Sequence, residues 1–409
     1  MTEIVVTVFV LVYVGMILGG LPLLQLDRTG VALLGAIALI GLGAVSLDEA
    51  AASVDLPTLI LLFSFMVVSA QMRLGGFYDA VTRRLAALRL APPLLLGALI
   101  AVAGGLSAVF SNDVVCLAMA PVLLDACRGR GLAPRPYLLA LACAANLGSA
   151  ATLIGNPQNM LIGEALKLPF AAYLRAAAVP VALGLVAAWL VMVALDRRQL
   201  TEPLAAPPSA SGDGEETYPF DRWQSLKGLA VALAVIAAFL FGPWPRAVVA
   251  LTGAGILLTS RRLHSRRMLG LVDWELLVLF IGLFVVNHAL QRTGLPARAL
   301  ADLAAAGLPL QHPATLFGTT FVLSNLVSNV PAVMLLLPGL AQPQAGLLIA
   351  LVSTLAGNLF IVGSVANIIV VDAAARRGVA IGWREHARIG VPVTLATLAI
   401  VAAWWALRA

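Results

Sequence analysis

Charged residues and cysteines are both scarce in this chain. Asp, Glu, Lys and Arg together make up 11% of the 409 residues, whereas soluble domains carry about 25%, and this shortage excludes an ordinary soluble protein. The three cysteines have no CxxC spacing, so they give neither a disulfide framework nor a zinc signature. No Walker A, kinase or hydrolase motif is present. Primary pumping by this chain alone and enzymatic activity are therefore not indicated, and we expect no cofactor and no resident metal.

Apolar runs are what the sequence has in abundance. Hydrophobic residues make up 61% of the chain, and runs long enough to cross a hydrocarbon core of about 30 Å recur from end to end. Since each crossing must satisfy its backbone internally, these runs predict helices. We expect an all-α polytopic membrane protein, in the lipid bilayer of a bacterial inner membrane, with residues 4–20 as a retained first span. The net charge of +6 sits in arginine clusters at the ends of the runs, so no nucleic-acid partner is expected.

Loop charges predict the orientation of the spans. Residues 46–55, SLDEAAASVD, hold three carboxylates and no Lys or Arg, so the positive-inside rule places this loop outside the cell. Residues 93–127 instead begin and end beside arginines, which puts both ends in the cytoplasm. A segment that returns to its own side predicts a re-entrant hairpin with its polar tip deep in the membrane. Residues 196–225, rich in Pro, Ser, Gly and acidic residues, predict a cytoplasmic linker between two halves.

The two halves repeat one another. LSAVFSNDVVCLAMAP (residues 106–121) aligns without gaps on LSNLVSNVPAVMLLLP (residues 323–338). The basic loop SRRLHSRR stands in the second half where the acidic loop stands in the first, and opposite charges predict opposite sides of the membrane, hence two inverted-topology repeats. We expect about five transmembrane helices and one re-entrant hairpin in each, with broken helices at the repeat interface. The expected boundaries are repeat 1 at residues 1–195 (hairpin about 93–127, broken helix about 137–166), the linker at 196–225, and repeat 2 at 226–409 (hairpin about 312–340, broken helix about 345–372).

Polar residues interrupt the apolar segments at the expected hairpin tips and inside the broken helices. NLGSAATLIGNPQN (residues 146–159) places two glycines, a proline and three asparagines inside one crossing, and AGNLFIVGSVANIIV (residues 356–370) is its counterpart. Helix ends at such breaks can hold an anion, a cation or a polyhydroxyl solute. For any single Ser or Asn the alternative is a cap of its own helix, but the duplication favours a binding site. The candidate binding residues are Ser111, Asn112, Asp113, Asn146, Ser149, Thr152, Gly155, Asn156, Asn159, Ser328, Asn329, Asn358, Gly363, Ser364 and Asn367.

Asp113 is a carboxylate in one of the most apolar parts of the chain. An ionised carboxylate is costly in a low-dielectric setting, so this position suits a proton carrier or a ligand for sodium. We therefore expect Asp113 to be the coupling carboxylate, with H⁺ as the coupling ion. The alternative is a cap of the following helix, in which backbone N–H groups satisfy the carboxylate. Other acidic residues lie near segment ends, where snorkelling to the interface explains them: Asp125, Glu164, Asp273, Glu275 and Asp372.

The polar segments resemble a known family. SND (residues 111–113) and NLGSAAT-IGNPQN (residues 146–159) resemble the arsenite-permease branch of the ion transporter superfamily, and residues 106–163 are similar to the silicic acid efflux transporters of plants. This resemblance implies a scaffold and a transport domain that moves as an elevator, with the transport domain at about residues 93–165 and 312–372. It also implies a secondary active transporter that expels a neutral metalloid hydroxide in exchange for protons, and a homodimer would fit such a scaffold.

A more distant resemblance implies a different cargo. SND and SNV (residues 328–330) look like the paired Ser-Asn-Thr tips of the divalent-anion/sodium symporters, which implies sodium-coupled uptake of a dicarboxylate, citrate or sulfate. The third position here is Asp or Val, a departure that puts the symmetric two-sodium arrangement in doubt. No Lys or Arg stands at either tip or break, which favours a neutral or weakly charged solute. A passive channel is a third reading, although interrupted helices in an inverted repeat favour a transporter. Under the sodium alternative, Na⁺ would lie near Ser111, Asn112, Asp113 and Asn156.

Overall fold

The chain, in a computed structural model, is helical almost throughout. The structure describes residues 1–21, 25–201, 218–340 and 342–408. Two short strands, β1 (Gly20–Leu21) and β2 (Leu26–Asp27), pair antiparallel between the first two helices. Residues 202–217, which make up most of the expected linker, lie outside the described residues, and helices extend into both linker ends, to Thr201 and from Arg222.

Long apolar helices alternate with short connecting helices along the described chain. In the first half they are α1 (Thr2–Leu18), α2 (Arg28–Gly41), α3 (Leu47–Ser53), α4 (Leu56–Leu74), α5 (Phe77–Ala87), α6 (Pro92–Val109), α7 (Asn112–Gly129), α8 (Pro134–Ser149), α9 (Pro157–Ala165) and α10 (Phe170–Thr201). In the second half they are α11 (Arg222–Phe241), α12 (Arg246–Leu258), α13 (Ser265–Leu269), α14 (Trp274–Arg292), α15 (Leu295–Ala305), α16 (Pro313–Val327), α17 (Asn329–Leu336), α18 (Pro343–Ala356), α19 (Val365–Arg376) and α20 (Trp383–Ala406). Short 3₁₀ turns follow α17 (Leu337–Gly339) and precede α19 (Ile361–Gly363).

Several of these helices have the length and composition of membrane spans. Within the described ranges, six helices qualify on both grounds, namely α4, α6, α10, α11, α14 and α20. Their outward faces carry large apolar side chains, as Leu190 on α10 and Leu233 on α11 illustrate with exposed fractions of 55% and 56%. Such faces suit contact with lipid rather than with water. The prediction of a helical, polytopic membrane protein is confirmed.

Polar segments separate four pairs of helices. Only Phe110 and Ser111 lie between α6 and α7, and only Ser328 lies between α16 and α17. Longer interruptions separate α8 from α9 and α18 from α19. Ser328 has a φ of 76°, in the left-handed region that a residue with a Cβ rarely adopts, and holding it there costs about 1–3 kcal/mol.

Two glycines bring α6 and α8 into close contact. A Cβ on Gly148 would lie 2.1 Å from the carbonyl oxygen of Gly104, so a larger residue does not fit at this crossing. The contact fixes the last turn of α8, which carries Asn146 and Ser149, against α6.

Gly148→Ala is expected to lower the stability of the folded protein by about 1–3 kcal/mol, because the added methyl group overlaps the Gly104 carbonyl. Thermal unfolding of the purified protein in detergent, monitored by size-exclusion chromatography, measures the loss. Gly105→Ala on α6 is the control, since nothing lies within 4 Å of a Cβ at that position. Equal melting temperatures for the two variants would contradict the close contact.

Candidate functional site

The side chain of Asn146, near the end of α8, is the centre of a buried hydrogen-bond cluster. Its Oδ1 accepts hydrogen bonds from Asn112 Nδ2 at 3.0 Å and from Ser364 Oγ at 2.8 Å. Its Nδ2 donates to Asn358 Oδ1 at 2.8 Å and to Asn367 Oδ1 at 3.2 Å. One amide thus joins the start of α7, the end of α8 and both sides of the second break. These five residues are called the Asn146 cluster below.

Asparagines also close the first break, between α8 and α9. Asn156 caps α9, because its Oδ1 accepts from the backbone N–H of Asn159 at 2.9 Å, and its Nδ2 donates to Ser149 Oγ at 2.9 Å. Asn159 Nδ2 donates to the Thr152 carbonyl oxygen at 2.9 Å and to Tyr173 Oη at 3.1 Å. Asn156 therefore caps its own helix, which was the alternative to a binding role, and it also contacts Ser149 across the break.

The second break, between α18 and α19, is closed in the same way. Ser364 caps α19, since its Oγ accepts from the backbone N–H two residues further on at 3.2 Å. Asn367 Nδ2 donates to the carbonyl oxygens of Gly357 at 2.8 Å and Phe360 at 3.0 Å. Gly363 packs on Gly357, and a Cβ on Gly363 would lie 3.0 Å from the carbonyl oxygen of Gly357. Asn159 and Asn367 thus bind broken backbone in equivalent ways.

The turn between α6 and α7 and the turn between α16 and α17, with the first residues of α7 and α17, are called the two tips. Each tip contacts the break of its own half. The backbone N–H of Asn112 donates to the Gly155 carbonyl oxygen at 3.1 Å. Gly155 has no room for a side chain, because a Cβ would lie 2.4 Å from the Ser149 carbonyl oxygen. At the second tip, Asn329 Nδ2 lies 3.0 Å from the position that a Cβ on Gly357 would occupy. Tips and breaks therefore form one continuous polar region.

Five buried oxygen atoms near the tips have no hydrogen-bond partner among the described residues: the Oδ1 atoms of Asn112, Asn325 and Asn329 and the Oγ atoms of Ser107 and Ser324. All but Asn325 Oδ1 form two pairs, Asn112 with Asn329 and Ser107 with Ser324. The members of each pair are 217 residues apart, which is the offset between the two aligned segments that contain them. A buried polar atom without a partner costs about 1–3 kcal/mol, and a bound solute, ion or water would explain a matched set of them. Each oxygen can accept a hydroxyl proton or coordinate a cation.

Asp113 is the second residue of α7 and is half-buried. Within the described ranges, no hydrogen bond or ion pair involves its carboxylate, and no side chain caps α7, whose cap residue is Ser111. The capping alternative for Asp113 is therefore not seen. The positive end of the helix dipole favours an anion at this position, and the carboxylate is free to take a proton or a ligand.

The serines at the two tips make no capping bonds either. Ser111 precedes α7 and Ser328 precedes α17, and neither side chain accepts from its helix. Both residues are half-buried. Since neither hydroxyl is used as a cap, both serines are available to a bound solute or ion. Backbone strain of the kind seen at Ser328 is concentrated at functional sites in proteins.

Several residues that the sequence did not single out complete the polar region. Thr354 Oγ1 accepts from Asn156 Nδ2 at 3.3 Å and from Gln158 Nε2 at 3.2 Å. Thr354 lies in the last turn of α18, directly before the second break, and a polar residue at that position was a usable signal. His386 on α20 is buried, with Nε2 3.1 Å from the Asn358 carbonyl oxygen and Nδ1 without a partner in the described chain. No local pattern marked His386 or Tyr173, because both come from helices that follow the breaks.

The polar region is neutral apart from Asp113. In the described part of the chain, the partners of the Asn146 cluster and of the two breaks are amides, hydroxyls, an imidazole and backbone groups. It lacks the Arg or Lys that forms strong charge-assisted bonds with a carboxylate ligand. The arrangement is chemically suited to a small solute that carries hydroxyl groups, or to a cation.

Known proteins resemble the chain over nearly its whole length. Residues 9–356 match the CitMHS family model, described as citrate transporter. The silicon efflux transporter LSI3 of Oryza sativa subsp. japonica is 29% identical over 452 residues, which cover 93% of this chain and 92% of that protein. The putative transporter arsB of Dictyostelium discoideum is 23% identical over 489 residues, which cover 92% and 87%. The predicted resemblance to the arsenite-permease branch and to silicic acid efflux transporters is confirmed.

A solved structure shares the fold. The YdaH transporter of Alcanivorax borkumensis superimposes with a TM-score of 0.61 at 14% identity, covering 99% of this chain and 97% of its own. At that identity the likeness shows the fold alone. The match of the family model over most of the sequence shows that this chain is a membrane transporter, not an enzyme, and belongs to the CitMHS citrate transporter family.

Proposed function

We propose that the protein is a secondary active transporter that expels a small neutral metalloid hydroxide, such as arsenite or silicic acid, in exchange for protons. In this proposal the halves form an inverted repeat, and the tips and breaks belong to a transport domain that moves as an elevator. Asp113 is the coupling carboxylate. The observation that carries the proposal is a half-buried carboxylate with no described partner, adjacent in sequence to Asn112 of the neutral Asn146 cluster.

Exchange follows from competition for one carboxylate. A solute hydroxyl can donate a hydrogen bond to ionised Asp113, whereas a protonated Asp113 no longer offers the same acceptor. Proton and solute then stabilise different forms of one site, and each form crosses the membrane with its own cargo. No described salt bridge supplies a basic partner for Asp113, so in this proposal a proton neutralises the carboxylate for the crossing of the membrane.

The oxygens without partners favour a solute with hydroxyl groups. Metalloid hydroxides offer several O–H donors around one small centre, and Asn112 Oδ1 and Asn329 Oδ1 are buried acceptors without donors in the described structure. A solute that supplies those donors removes the cost of leaving the oxygens unpaired. A neutral solute also needs no counter-cation.

Equivalent helices support the inverted repeat. α4 and α14 each have 19 residues and each follow a capping aspartate, Asp55 or Asp273. α5 and α15 each have 11 residues and each follow a glycine with positive φ, Gly76 or Gly294. α2 packs against α14 while α12 packs against α4. This exchange of partners between the halves is what two interlocked repeats would produce.

Sodium-coupled uptake of citrate or another small anion is the second candidate, because the matching family model is described as citrate transporter. Sodium would then take the place of the proton, near Ser111, Asn112, Asp113 and Asn156. The orphaned Asn112 Oδ1 and the Asp113 carboxylate are oxygen ligands of the kind that hard cations prefer. Sodium ions and helix N-termini could then substitute for a missing arginine in holding the anion.

Asp113→Asn is expected to reduce the response of arsenite or silicic acid flux to an imposed pH gradient at least about tenfold, since an amide cannot exchange a proton. Proteoliposomes with a pH gradient and no sodium measure that response. Asp302→Asn, which changes an exposed carboxylate on α15, is the matched control and should keep full coupling. Sodium-driven citrate uptake that is equal in wild type and Asp113→Asn would contradict the proposal.

Asn146→Ala is expected to raise the apparent KM for the solute about tenfold or more, because it removes the amide that holds Asn112, Asn358 and Ser364 in place. Flux measured against solute concentration gives KM, and a thermal shift gives stability. Asn287→Ala is the control, since Asn287 is a buried amide on α14 whose Oδ1 accepts from Tyr13 Oη at 2.9 Å, and none of its described hydrogen bonds is to the Asn146 cluster. An unchanged KM in Asn146→Ala, with a loss of stability like that of Asn287→Ala, would show that the cluster is only structural.

A further inference from the structure

Arg246, the first residue of α12, holds the far end of α9. Its Nε lies 2.8 Å from Glu164 Oε1, and its Nη atoms donate to the carbonyl oxygens of Leu168 at 3.0 Å and Gly163 at 2.6 Å. The exposed fractions of the two charged side chains are only 15% and 9%. The sequence predicted that Glu164 snorkels to the interface. The structure instead places it in a buried ion pair. The carbonyl of Gly163 is in the last turn of α9, where the helix dipole favours a cation.

The helix that carries Arg246 has a counterpart in the first half. RTGVALLGAIAL (residues 28–39) aligns without gaps on RAVVALTGAGIL (residues 246–257), with identical Arg, Val, Ala, Leu, Gly, Ala and Leu. Arg28 begins α2 as Arg246 begins α12. Arg28 is therefore the equivalent of Arg246.

The partner of Arg246 has a counterpart as well. NPQNMLIGEA (residues 156–165) aligns without gaps on SVANIIVVDA (residues 364–373), which superimposes the capping residues of α9 and α19 and their backbone-binding asparagines. In this alignment Glu164 matches Asp372, an acid in the last turns of α19. The pair equivalent to Arg246–Glu164 is therefore Arg28–Asp372. In the proposed inverted repeat it lies on the opposite side of the membrane.

Only one of these two equivalent pairs is formed. Within the described residues, the side chain of Arg28 makes no ion pair or hydrogen bond, and its Nε is buried without a partner. Asp372 is 54% exposed and pairs with Arg376, one turn further along the same helix, at 2.7 Å. α9 packs against α4, whereas the equivalent helices α19 and α14, both fully described, make no comparable contact. The two halves thus have different arrangements at equivalent places.

We propose that Arg28 and Asp372 pair in the opposite-facing state of the transporter, in which Arg246 and Glu164 are apart. This inference rests on the proposed alternating access of an inverted repeat, because exchanging the arrangements of the two halves yields the other state. Exchanging one arginine–carboxylate pair for an equivalent one keeps the two states close in free energy. A small difference in affinity for proton or solute then decides which state is populated.

Cross-linking tests the pairing without any solute. The three described cysteines, which are buried, are first replaced by alanine. Two variants are then made: Arg28→Cys/Asp372→Cys, the first pair, and Arg246→Cys/Glu164→Cys, the second pair. Each variant is treated in proteoliposomes with a short bismaleimide. Both pairs should cross-link. Adding Glu164→Gln should speed the first cross-link about fivefold, and adding Asp372→Asn should speed the second similarly. Arg28→Cys/Asp302→Cys, with cysteines on opposite sides in the proposed topology, controls for links between molecules.

The outcomes separate this inference from the proposed function. Failure of residues 28 and 372 to cross-link, while residues 246 and 164 cross-link fully, would overturn the pairing even if proton-coupled flux is intact. Cross-linking of both pairs with the expected responses supports the pairing, and it does so even if no metalloid is transported. Should the loss of Glu164 prevent folding, as judged by size-exclusion chromatography, the Arg28→Cys/Asp372→Cys variant alone decides, because it keeps the Arg246–Glu164 pair: failure of residues 28 and 372 to cross-link would overturn the inference.

Discussion

A helix that ends inside a membrane leaves backbone N–H and C=O groups where no water can bind them, and the need to satisfy these groups constrains everything else in the structure. Asparagine meets this need because one amide is both donor and acceptor. Asn159 and Asn367 each bind carbonyls across a break, and Asn156 caps α9. The result is a site rich in amides, because the broken backbone needs them, and poor in charge, because the membrane penalises it.

That constraint makes the exceptions informative. Most polar atoms at the breaks are paired, so the orphaned oxygens of Asn112 and Asn329 point to something that the protein binds. Asp113 is the exception in charge, half-buried beside a neutral cluster. Among the ion pairs in the described ranges, Arg246–Glu164 stands out because both side chains are largely buried and come from different helices. The proposed solute site, the proposed coupling group and the proposed contact that distinguishes two states of the transporter rest on these three exceptions.

Some of this arrangement could be predicted from the sequence, and the reasons are physical. Ser111 to Asp113 and Asn146 to Asn159 stand out because polar residues are costly in an apolar segment, and the proline and glycines beside them mark broken helices. The contacts between segments could not be predicted. Asn146 meets Ser364 from 218 residues away, and His386 reaches Asn358 from α20, so both contacts depend on how the helices pack. Glu164 resembled an interfacial residue because its sequence position does not reveal Arg246.

Proton movement driven by the solute tests the central claim most directly. Proteoliposomes that contain the protein and a trapped pH-sensitive dye, without sodium, are given a gradient of arsenite or silicic acid. If Asp113 exchanges a proton for a neutral solute, solute flow in one direction drives protons in the other, and the internal pH changes until the two gradients balance. Solute flow without any pH change, or a pH-independent citrate flux that requires sodium, would contradict the account.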